Sequence, residues 1–448
     1  HDALPICREP HYFHQLGRAL LASGRAADAT RAFEQSLQWQ PDAPETLHDY
    51  SCALEALGRF QTAYNIARHA AQFAGGSAAI QHHAGRLALR LDRRHEALEL
   101  LDRATALDSS LADAHLDRAR VLLSLDQPQP ALAGAQLALA IDADLADAAL
   151  LAGQALAQLK RADEAIPLLE HALARQPDLL EGHALLRDLL DRAGRFTDAL
   201  ASARRVIDLA PGVAEHHLRL GELLASIGEH EAAGAALNHA VTLAGSSEKP
   251  AADAKGLGLI GSRTGLVLGR AHAAISGIHA FAGDWSAARE HAERSISLDP
   301  IAGEHHAALA QALDGLGDLP GAIVALTAAI ERQPDHAGWQ HDLGMLLRRA
   351  GDSAAALPRL RRATQLREDA TFTHDLALCL VEVGDLAEAI GAYERALRLR
   401  PDANEWRVEL AELQARRGWH GEAVAELDQA IAAGLPRRAR GLALPPPS

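Results

Sequence analysis

A period of 34 residues runs through almost the whole chain and limits the possible folds more than any other feature. The copy at residues 303–336 holds two apolar segments with helical spacing, and the first carries Leu309, Leu313 and Leu316 on one face. Gly317 interrupts the pattern between the two segments, as expected for a turn. The sequence therefore predicts a helical hairpin with one apolar side. A hairpin of this size is stable only when it packs against neighbouring copies.

Small residues recur at fixed positions of the period. One position in the second segment is alanine in all twelve copies: Ala29, Ala63, Ala97, Ala131, Ala165, Ala199, Ala233, Ala288, Ala322, Ala356, Ala389 and Ala423. The interval is 34 residues except for 55 between the seventh and eighth copies and 33 between the tenth and eleventh. A position in the first segment is also mostly small, and Arg187 is its one large departure. Such positions are expected where two helix backbones approach closely.

This pattern resembles the tetratricopeptide repeat, whose unit has 34 residues, small and apolar residues at these spacings, and a proline at its end. The proline occurs here as Pro41, Pro177, Pro211, Pro300, Pro334 and Pro401. The tryptophan of the family is mostly replaced, by Phe13, His115, His183, His217, His272 and His306, and we call this place the tryptophan position. The resemblance implies an all-α fold, a right-handed α-solenoid of about twelve helical hairpins.

The spacing divides the chain into four parts. Repeats 1–7 are expected at residues 10–245, an insertion at 246–268, repeats 8–12 at 269–436, and a basic, proline-rich tail at 437–448. The insertion contains a G-x-G-x-x-G pattern at Gly256, Gly258 and Gly261. That pattern indicates a dinucleotide site only after a strand and within a βαβ unit, and no strand pattern lies nearby. We therefore expect a loop or an extended entry into the next helix, with first trypsin cuts near Lys249, Lys255 or Arg263.

Composition narrows the function. The formal net charge of −15, from 44 basic and 59 acidic residues, argues against a general nucleic-acid-binding protein. The sequence contains no run of eighteen apolar residues, so it predicts no membrane span. Cys7, Cys52 and Cys379 are far apart and have no C-x-x-C spacing, so neither a disulfide framework nor a zinc site is expected.

The 24 histidines give little support for catalysis. Adjacent pairs such as His82 and His83 point about 100° apart on a helix, which makes them poor joint ligands for one metal. Histidines at the tryptophan position are expected to fill a packing slot, and a neighbouring column is expected to face outward. No H-E-x-x-H, nucleophile-elbow or paired-carboxylate motif occurs. We expect no catalytic residue, no cofactor and no metal.

The resemblance implies that the first helix of each repeat lines a concave groove in which partners bind. The basic residues expected there are His14, Arg18, His48, His82, Arg86, Arg90 and Arg120. An acidic stretch follows with Glu181, Asp188, Asp191, Glu215 and Glu222, and the last repeats add His341, Arg348, Arg349 and His374. Guanidinium groups favour carboxylates and phosphates. The N-terminal half is therefore expected to bind an acidic peptide segment, more tightly below about pH 6.5 and more weakly in salt.

The function favoured by the sequence is a non-enzymatic protein-interaction scaffold of bacterial origin. The alternative is the repeat region of a larger bacterial enzyme, of glycosyltransferase or sulfotransferase type, whose catalytic domain is absent from this chain. A start without methionine and an abrupt end keep that alternative open. The oligomeric state stays open too, and the cytoplasm is the favoured compartment.

Overall fold

The computed structural model describes residues 10–247 and 262–433, and within these ranges it holds 24 α-helices and no strand. Successive helices pair into twelve antiparallel hairpins, and each hairpin packs against the next one along the chain within its unit. This confirms the expected all-α solenoid. The chain divides into two compact units, His1–Pro211 and Gly212–Ser448.

The described residues of the first unit form six hairpins. Their helices are α1 (Pro10–Ala22), α2 (Ala26–Leu37), α3 (Pro44–Ala56), α4 (Phe60–Phe73), α5 (Ala78–Arg90), α6 (Arg94–Leu107), α7 (Ala112–Ser124), α8 (Pro128–Ile141), α9 (Ala146–Gln158), α10 (Ala162–Arg175), α11 (Leu180–Arg192) and α12 (Phe196–Leu209).

The second unit also contains six hairpins among its described residues. Their helices are α13 (Ala214–Ser226), α14 (His230–Ser247), α15 (Arg263–Phe281), α16 (Trp285–Leu298), α17 (Gly303–Gly315), α18 (Leu319–Arg332), α19 (Ala337–Arg349), α20 (Ser353–Leu366), α21 (Ala370–Val383), α22 (Leu386–Leu399), α23 (Asn404–Arg416) and α24 (His420–Ala432). Odd-numbered helices are the first helices of their hairpins and even-numbered helices the second.

Each hairpin turns through one residue with a left-handed backbone. Nine of these residues are glycines, such as Gly317 with φ of 79°, and the other three are Asp92, Asp126 and Lys160 with φ between 57° and 60°. Glycine adopts this conformation without the steric cost that a side chain brings. The glycine after the first apolar segment therefore sets where the first helix ends and the chain reverses.

Close packing within each hairpin follows from the small residues. All twelve alanines of the second-helix position have no exposed surface. In the first helices, a Cβ added at Gly344 would lie 2.6 Å from Cγ of Leu360, and one at Gly221 would lie 2.5 Å from Cγ of Leu237. The absent side chain of the glycine thus makes room for a leucine of the second helix.

Arg187 stands at this first-helix position and is almost fully buried. Its Nε and Nη2 donate to Oδ1 of Asp188 at 2.9 and 2.8 Å. The facing second-helix position is Ala203, whereas Leu237 and Leu360 stand there opposite first-helix glycines, so the large and the small residue have exchanged places relative to those repeats.

The eighth hairpin departs from the expected spacing. Its first helix, α15, begins at Arg263 and not near Gly269, because the hydroxyl of Ser262 accepts a hydrogen bond from the Gly265 N–H at 3.0 Å and caps an earlier start. The preceding α14 continues to Ser247. Both ends of the predicted 246–268 insertion are therefore helical.

Several sequence predictions concern residues outside the described ranges. They involve Cys7, the glycine pattern at 256–261, Lys249, Lys255 and the 437–448 tail.

Candidate functional site

The first helices of three consecutive hairpins in the second unit line a cavity of about 560 Å³. Its wall comes from α15, α17 and α19, with one residue from α18. The face that the first helices form is here called the first-helix face. The volume of this cavity falls within the range of pockets that bind small ligands or a few peptide residues.

Several small side chains contribute to the cavity wall. Ala307 and Ala308 of α17 and Gly277 of α15 let a ligand backbone come close to the helices. Larger apolar surface comes from Trp339 and Met345 of α19. Met345 is the only methionine of the chain, and its flexible thioether suits a surface that adapts to its ligand.

Charged groups also contribute to the cavity wall. Glu304, Asp314 and Asp342 line the cavity together with a single basic residue, Arg349. Nη1 of Arg349 donates to Oδ2 of Asp314 at 2.8 Å. The other oxygen of that carboxylate, Oδ1, is buried and has no hydrogen-bond partner among the described residues. A buried acceptor without a donor is costly to the folded state.

The basic residues predicted in the N-terminal repeats lie on first helices, but carboxylates of this chain already contact most of them. Nε2 of His14 lies 2.8 Å from Oδ2 of Asp49, and Nε of Arg18 lies 3.7 Å from the same oxygen. Nη2 of Arg86 and Nη1 of Arg90 lie 3.0 and 3.8 Å from the Glu55 carboxylate.

The same arrangement recurs one repeat further along. Nε2 of His82 lies 2.9 Å from Oδ2 of Asp117, and Nη1 of Arg120 donates to Oδ1 of that carboxylate at 2.7 Å. Nη2 of Arg120 lies 3.9 Å from Asp147. The predicted basic surface is therefore largely neutralised within the first unit. Its guanidinium groups stay accessible, since the side chains of Arg18, Arg86 and Arg90 are 60%, 51% and 56% exposed.

His48 lies apart from these pairs, in a cluster with Cys52 of its own helix and His83 of α5. Burial lowers the pKa of His48, with Asp49 acting against this effect. His48 therefore becomes charged at a lower pH than an exposed histidine does. Burial, aided by His48 and Arg86, lowers the pKa of His83 to about 3, and burial raises that of Cys52 to about 11.

The acidic stretch predicted in the middle of the chain is also paired. Nη1 of Arg270 donates to Glu215 at 3.1 Å, and its Nη2 donates to Glu222 at 2.6 Å. Arg219 contacts both carboxylates as well, at 3.2 and 3.3 Å. Asp188 is the partner of Arg187. Of the five acidic residues predicted there, three thus have ion pairs: Glu215 and Glu222 join α13 to α15, and Asp188 pairs within α11.

A chain of hydrogen bonds links the first helices of the last three hairpins. Nε2 of His341 lies 2.8 Å from Oδ2 of Asp375, and Nδ1 of His374 lies 3.4 Å from its Oδ1. Nε2 of His374 lies 2.7 Å from Glu409, which also accepts from the hydroxyl of Tyr393 at 3.0 Å. Arg348 belongs to the same face and donates to Glu382 at 2.8 Å.

The carboxylates in this chain shift the titration of its histidines. Although burial lowers it, hydrogen bonds to Asp342 and Asp375 raise the pKa of His341 to about 9. Against the same effect of burial, Asp375 and Glu409 raise the pKa of His374 to about 8. Burial raises the pKa of Asp375, but the two histidines outweigh it and hold the value at about 2.

Histidines at the tryptophan position hydrogen-bond to the backbone between repeats. Nε2 of His115 lies 3.1 Å from the Ser109 carbonyl, that of His183 lies 2.9 Å from the Pro177 carbonyl, and that of His306 lies 3.1 Å from the Pro300 carbonyl. A carbonyl six residues earlier is the acceptor in all three cases. The packing interpretation of these histidines agrees with this geometry.

Two groupings were not predicted. The cavity residues Asp314, Trp339 and Met345 differ between repeats, so the periodicity gave no signal for them. The cluster of His48, Cys52 and His83 had a partial signal, since the first two stand one helical turn apart.

The comparisons with known proteins agree with the helical architecture. Two family models, both described as tetratricopeptide repeat, match the chain over more than half its length. One matches residues 186–248, 278–337, 307–371, 341–390 and 374–436, and the other residues 146–179. The comparison with curated proteins returned no match.

Solved structures of repeat proteins are similar to the chain at low sequence identity. Cut9–Hcn1, an APC/C hetero-tetramer, is 15% identical, with 98% of this chain and 96% of that chain covered at a TM-score of 0.44. YrrB, described as a TPR protein with an unusual peptide-binding site, is 22% identical, with 40% and 91% covered at 0.36. MamA of Desulfovibrio magneticus RS-1 is 20% identical, with 38% and 97% covered at 0.37.

None of the helices in the described ranges combines the length and apolar character that crossing a membrane requires.

Proposed function

Because the chain belongs to the tetratricopeptide repeat family, we propose that it is a non-enzymatic scaffold that binds a partner peptide on its first-helix face. Function in such a fold depends on the particular site and not on the architecture, which serves many roles. The cavity between α15, α17 and α19 is the site that we propose.

The observation that carries this proposal is the cavity itself, in which apolar side chains lie beside the carboxylates of Glu304, Asp314 and Asp342. A peptide segment brings apolar side chains that can pack against Trp339 and Met345, together with N–H donors for the carboxylates. The acidic groups around it favour a segment with a lysine or arginine beside the apolar anchor. Ligand pockets usually combine apolar contacts with a few polar ones.

Selection from a random peptide library tests the proposal. The full chain is expected to enrich peptides that pair an apolar residue with a basic one. An Ala308→Arg variant fills the cavity and brings in positive charge, so it should weaken binding of the selected peptides by at least about tenfold, or about 1.4 kcal/mol.

Val324→Arg is the matched control. Val324 lies on the second helix of the same hairpin and is 70% exposed. It adds the same charge away from the first-helix face and should leave binding unchanged. Equal loss in the two variants, or no loss with Ala308→Arg, would contradict the proposal.

A second candidate ligand is an acidic peptide segment on the N-terminal repeats. The exposed guanidinium groups of Arg86 and Arg90 support it, because Glu55 is shared between them and cannot neutralise both. An added ligand carboxylate would complete the pairing.

A Glu-rich peptide and the Arg86→Glu/Arg90→Glu variant test this second candidate. Binding should fall with rising salt and should be lost in the double variant. Arg103→Glu changes an exposed arginine of α6, a second helix, and should retain binding. A peptide that binds the double variant as well as the parent would show that this basic surface is not the ligand site.

A further inference from the structure

Three potential metal ligands meet between the second and third hairpins. His48 and Cys52 stand one turn apart on α3, and His83 comes from the neighbouring first helix, α5. Nε2 of His48 lies 3.8 Å from Sγ of Cys52, and Nε2 of His83 lies 3.7 Å from the same sulfur. All three donor atoms lie within 4.8 Å of one another.

The two nitrogen–sulfur separations are close to the edges of a tetrahedral zinc site. Zn²⁺ bonds of about 2.0–2.1 Å to nitrogen and about 2.3 Å to sulfur place tetrahedral nitrogen and sulfur donors about 3.6 Å apart. The measured separations of 3.8 and 3.7 Å need only a small adjustment of the rings. One thiolate with two imidazoles selects zinc or another late first-row metal over the oxygen-preferring Ca²⁺ and Mg²⁺.

We propose that His48, Cys52 and His83 bind one Zn²⁺ ion that joins α3 to α5. Three protein ligands leave the fourth position for water or for a side chain of a bound partner. The proton of the Cys52 thiol is released when its sulfur binds the ion.

The hydrogen bonding of His48 is poor without such an ion. Its Nδ1 is buried and has no partner among the described residues, and its Nε2 faces only a thiol. Buried ring nitrogens normally have a partner. Coordination of Nε2 would give this ring a strong interaction where it now has a weak one.

Ser51 competes for one of the ligands. Its hydroxyl lies 2.8 Å from Nε2 of His83, so this nitrogen must exchange the hydroxyl for the metal. Nδ1 of His83, which now lies 3.4 Å from Nη2 of Arg86, then carries the proton and must turn from that guanidinium to Glu55, whose Oε2 lies 3.9 Å away. A carboxylate behind a zinc-bound histidine is a common supporting arrangement. Removal of the Ser51 hydroxyl should therefore leave zinc affinity unchanged or raise it, whereas removal of a ligand should lower it.

Zinc and cobalt titrations of the full chain test the proposal. The parent should bind one Zn²⁺ per chain, and Co²⁺ in its place should give the charge-transfer absorption of a thiolate ligand. Cys52→Ala should abolish that absorption and weaken zinc binding by more than the roughly 10–100-fold that changes behind a ligand produce. His48→Gln provides an independent ligand variant, and circular dichroism checks that both remain helical.

The controls separate this site from other thiols and histidines. Cys7→Ala and Cys379→Ala should keep the cobalt absorption, and Ser51→Ala should bind zinc at least as tightly as the parent. A second close pair, His272 and His291, has Nδ1 atoms 3.0 Å apart, and a double alanine variant there should have no effect. No binding by the parent, unchanged binding by Cys52→Ala, or loss only in the His272/His291 variant would each overturn the proposal.

Discussion

Alanine at the second-helix position is fully shielded from solvent in every repeat, and the same residue type in twelve copies made this burial predictable. A residue that occurs once carries no such signal. Cys52 is one example, because its neighbour His83 lies 31 residues away and reaches it only through the packing of two hairpins. The sequence therefore predicts the shared core well and the individual sites poorly.

Gly344 gives a residue-scale test of the packing. A Cβ at this position would lie 2.6 Å from Cγ of Leu360 and 3.4 Å from the Ala356 carbonyl oxygen. Gly344→Ala should therefore lower the free energy of unfolding by about 1–3 kcal/mol, despite the better helix propensity of alanine. Urea unfolding followed by circular dichroism measures the change.

The matched control is Gly391, in the interior of α22. A Cβ there meets no atom within 4 Å. Gly391→Ala should raise the free energy of unfolding by about 0.5–1 kcal/mol. The same sign for both substitutions would show that the first-helix glycines are not packing positions.

The histidines of the last three hairpins give a pH test. The folded pKa values of His341 and His374, about 9 and 8, lie above the ordinary value of 6.5. Their contribution to stability is therefore complete below about pH 6.5 and is lost as pH rises through 8 and 9. Relative to His341→Gln, the parent should lose stability on the order of 1 kcal/mol between about pH 6 and 9.5, after allowance for solvent screening.

Asp375 contributes in the opposite direction of pH. Its folded pKa of about 2 lies below the ordinary 3.8, so its contribution is present above about pH 4 and is lost as pH falls toward 2.

His171, an exposed residue of α10, serves as the control for the His341 experiment, and His171→Gln should follow the parent throughout. A parent and a His341→Gln variant with parallel profiles from pH 6 to 9.5 would mean that this histidine is not bound to Asp375 as described.

At the scale of the helix, the starts and turns were readable from local chemistry, whereas the pairing of charges was not. Glycine after the first apolar segment predicts the left-handed turn because few other residues adopt it readily. Charged pairs such as His14 with Asp49 join positions 35 residues apart on neighbouring first helices. Whether two such groups meet depends on the register between hairpins, which periodicity alone does not fix. The sequence therefore predicted that the basic and acidic residues lie on the first helices. It did not predict which carboxylates and guanidinium groups pair with them.

Helix capping gives a prediction at this scale. Asp352 precedes α20, and its carboxylate accepts a hydrogen bond from the Ala355 N–H at 2.9 Å. Asp352→Ala should cost about 0.5–2 kcal/mol of unfolding free energy. Arg59 occupies the same place before α4 without a side-chain cap, so Arg59→Ala should have a much smaller effect. Equal losses for the two variants would exclude capping as the role of the aspartate.

At the scale of the whole molecule, the repeat dictates the architecture, and the departures from the repeat locate the sites. Each repeat is stabilised by contacts with adjacent repeats, so a residue that breaks the common pattern can be retained for another role. The proposed peptide cavity and the proposed zinc ligands are both such departures. They lie in different units, and so each can be altered without changing a residue of the other.

The single methionine allows the most direct test of the central claim, that a partner peptide binds in the cavity of the second unit. Met345 lies in the cavity wall, and a chain labelled with ¹³C at the methionine methyl group gives one resonance from the sequence, which Met345→Leu identifies. A peptide selected on the parent should shift this resonance until the shift saturates, and the affinity from this titration should equal the affinity from calorimetry. The same peptide should not shift the Met345 resonance of the Ala308→Arg variant. Full-affinity binding by calorimetry with an unmoved Met345 resonance would contradict the account and place the ligand elsewhere on the chain.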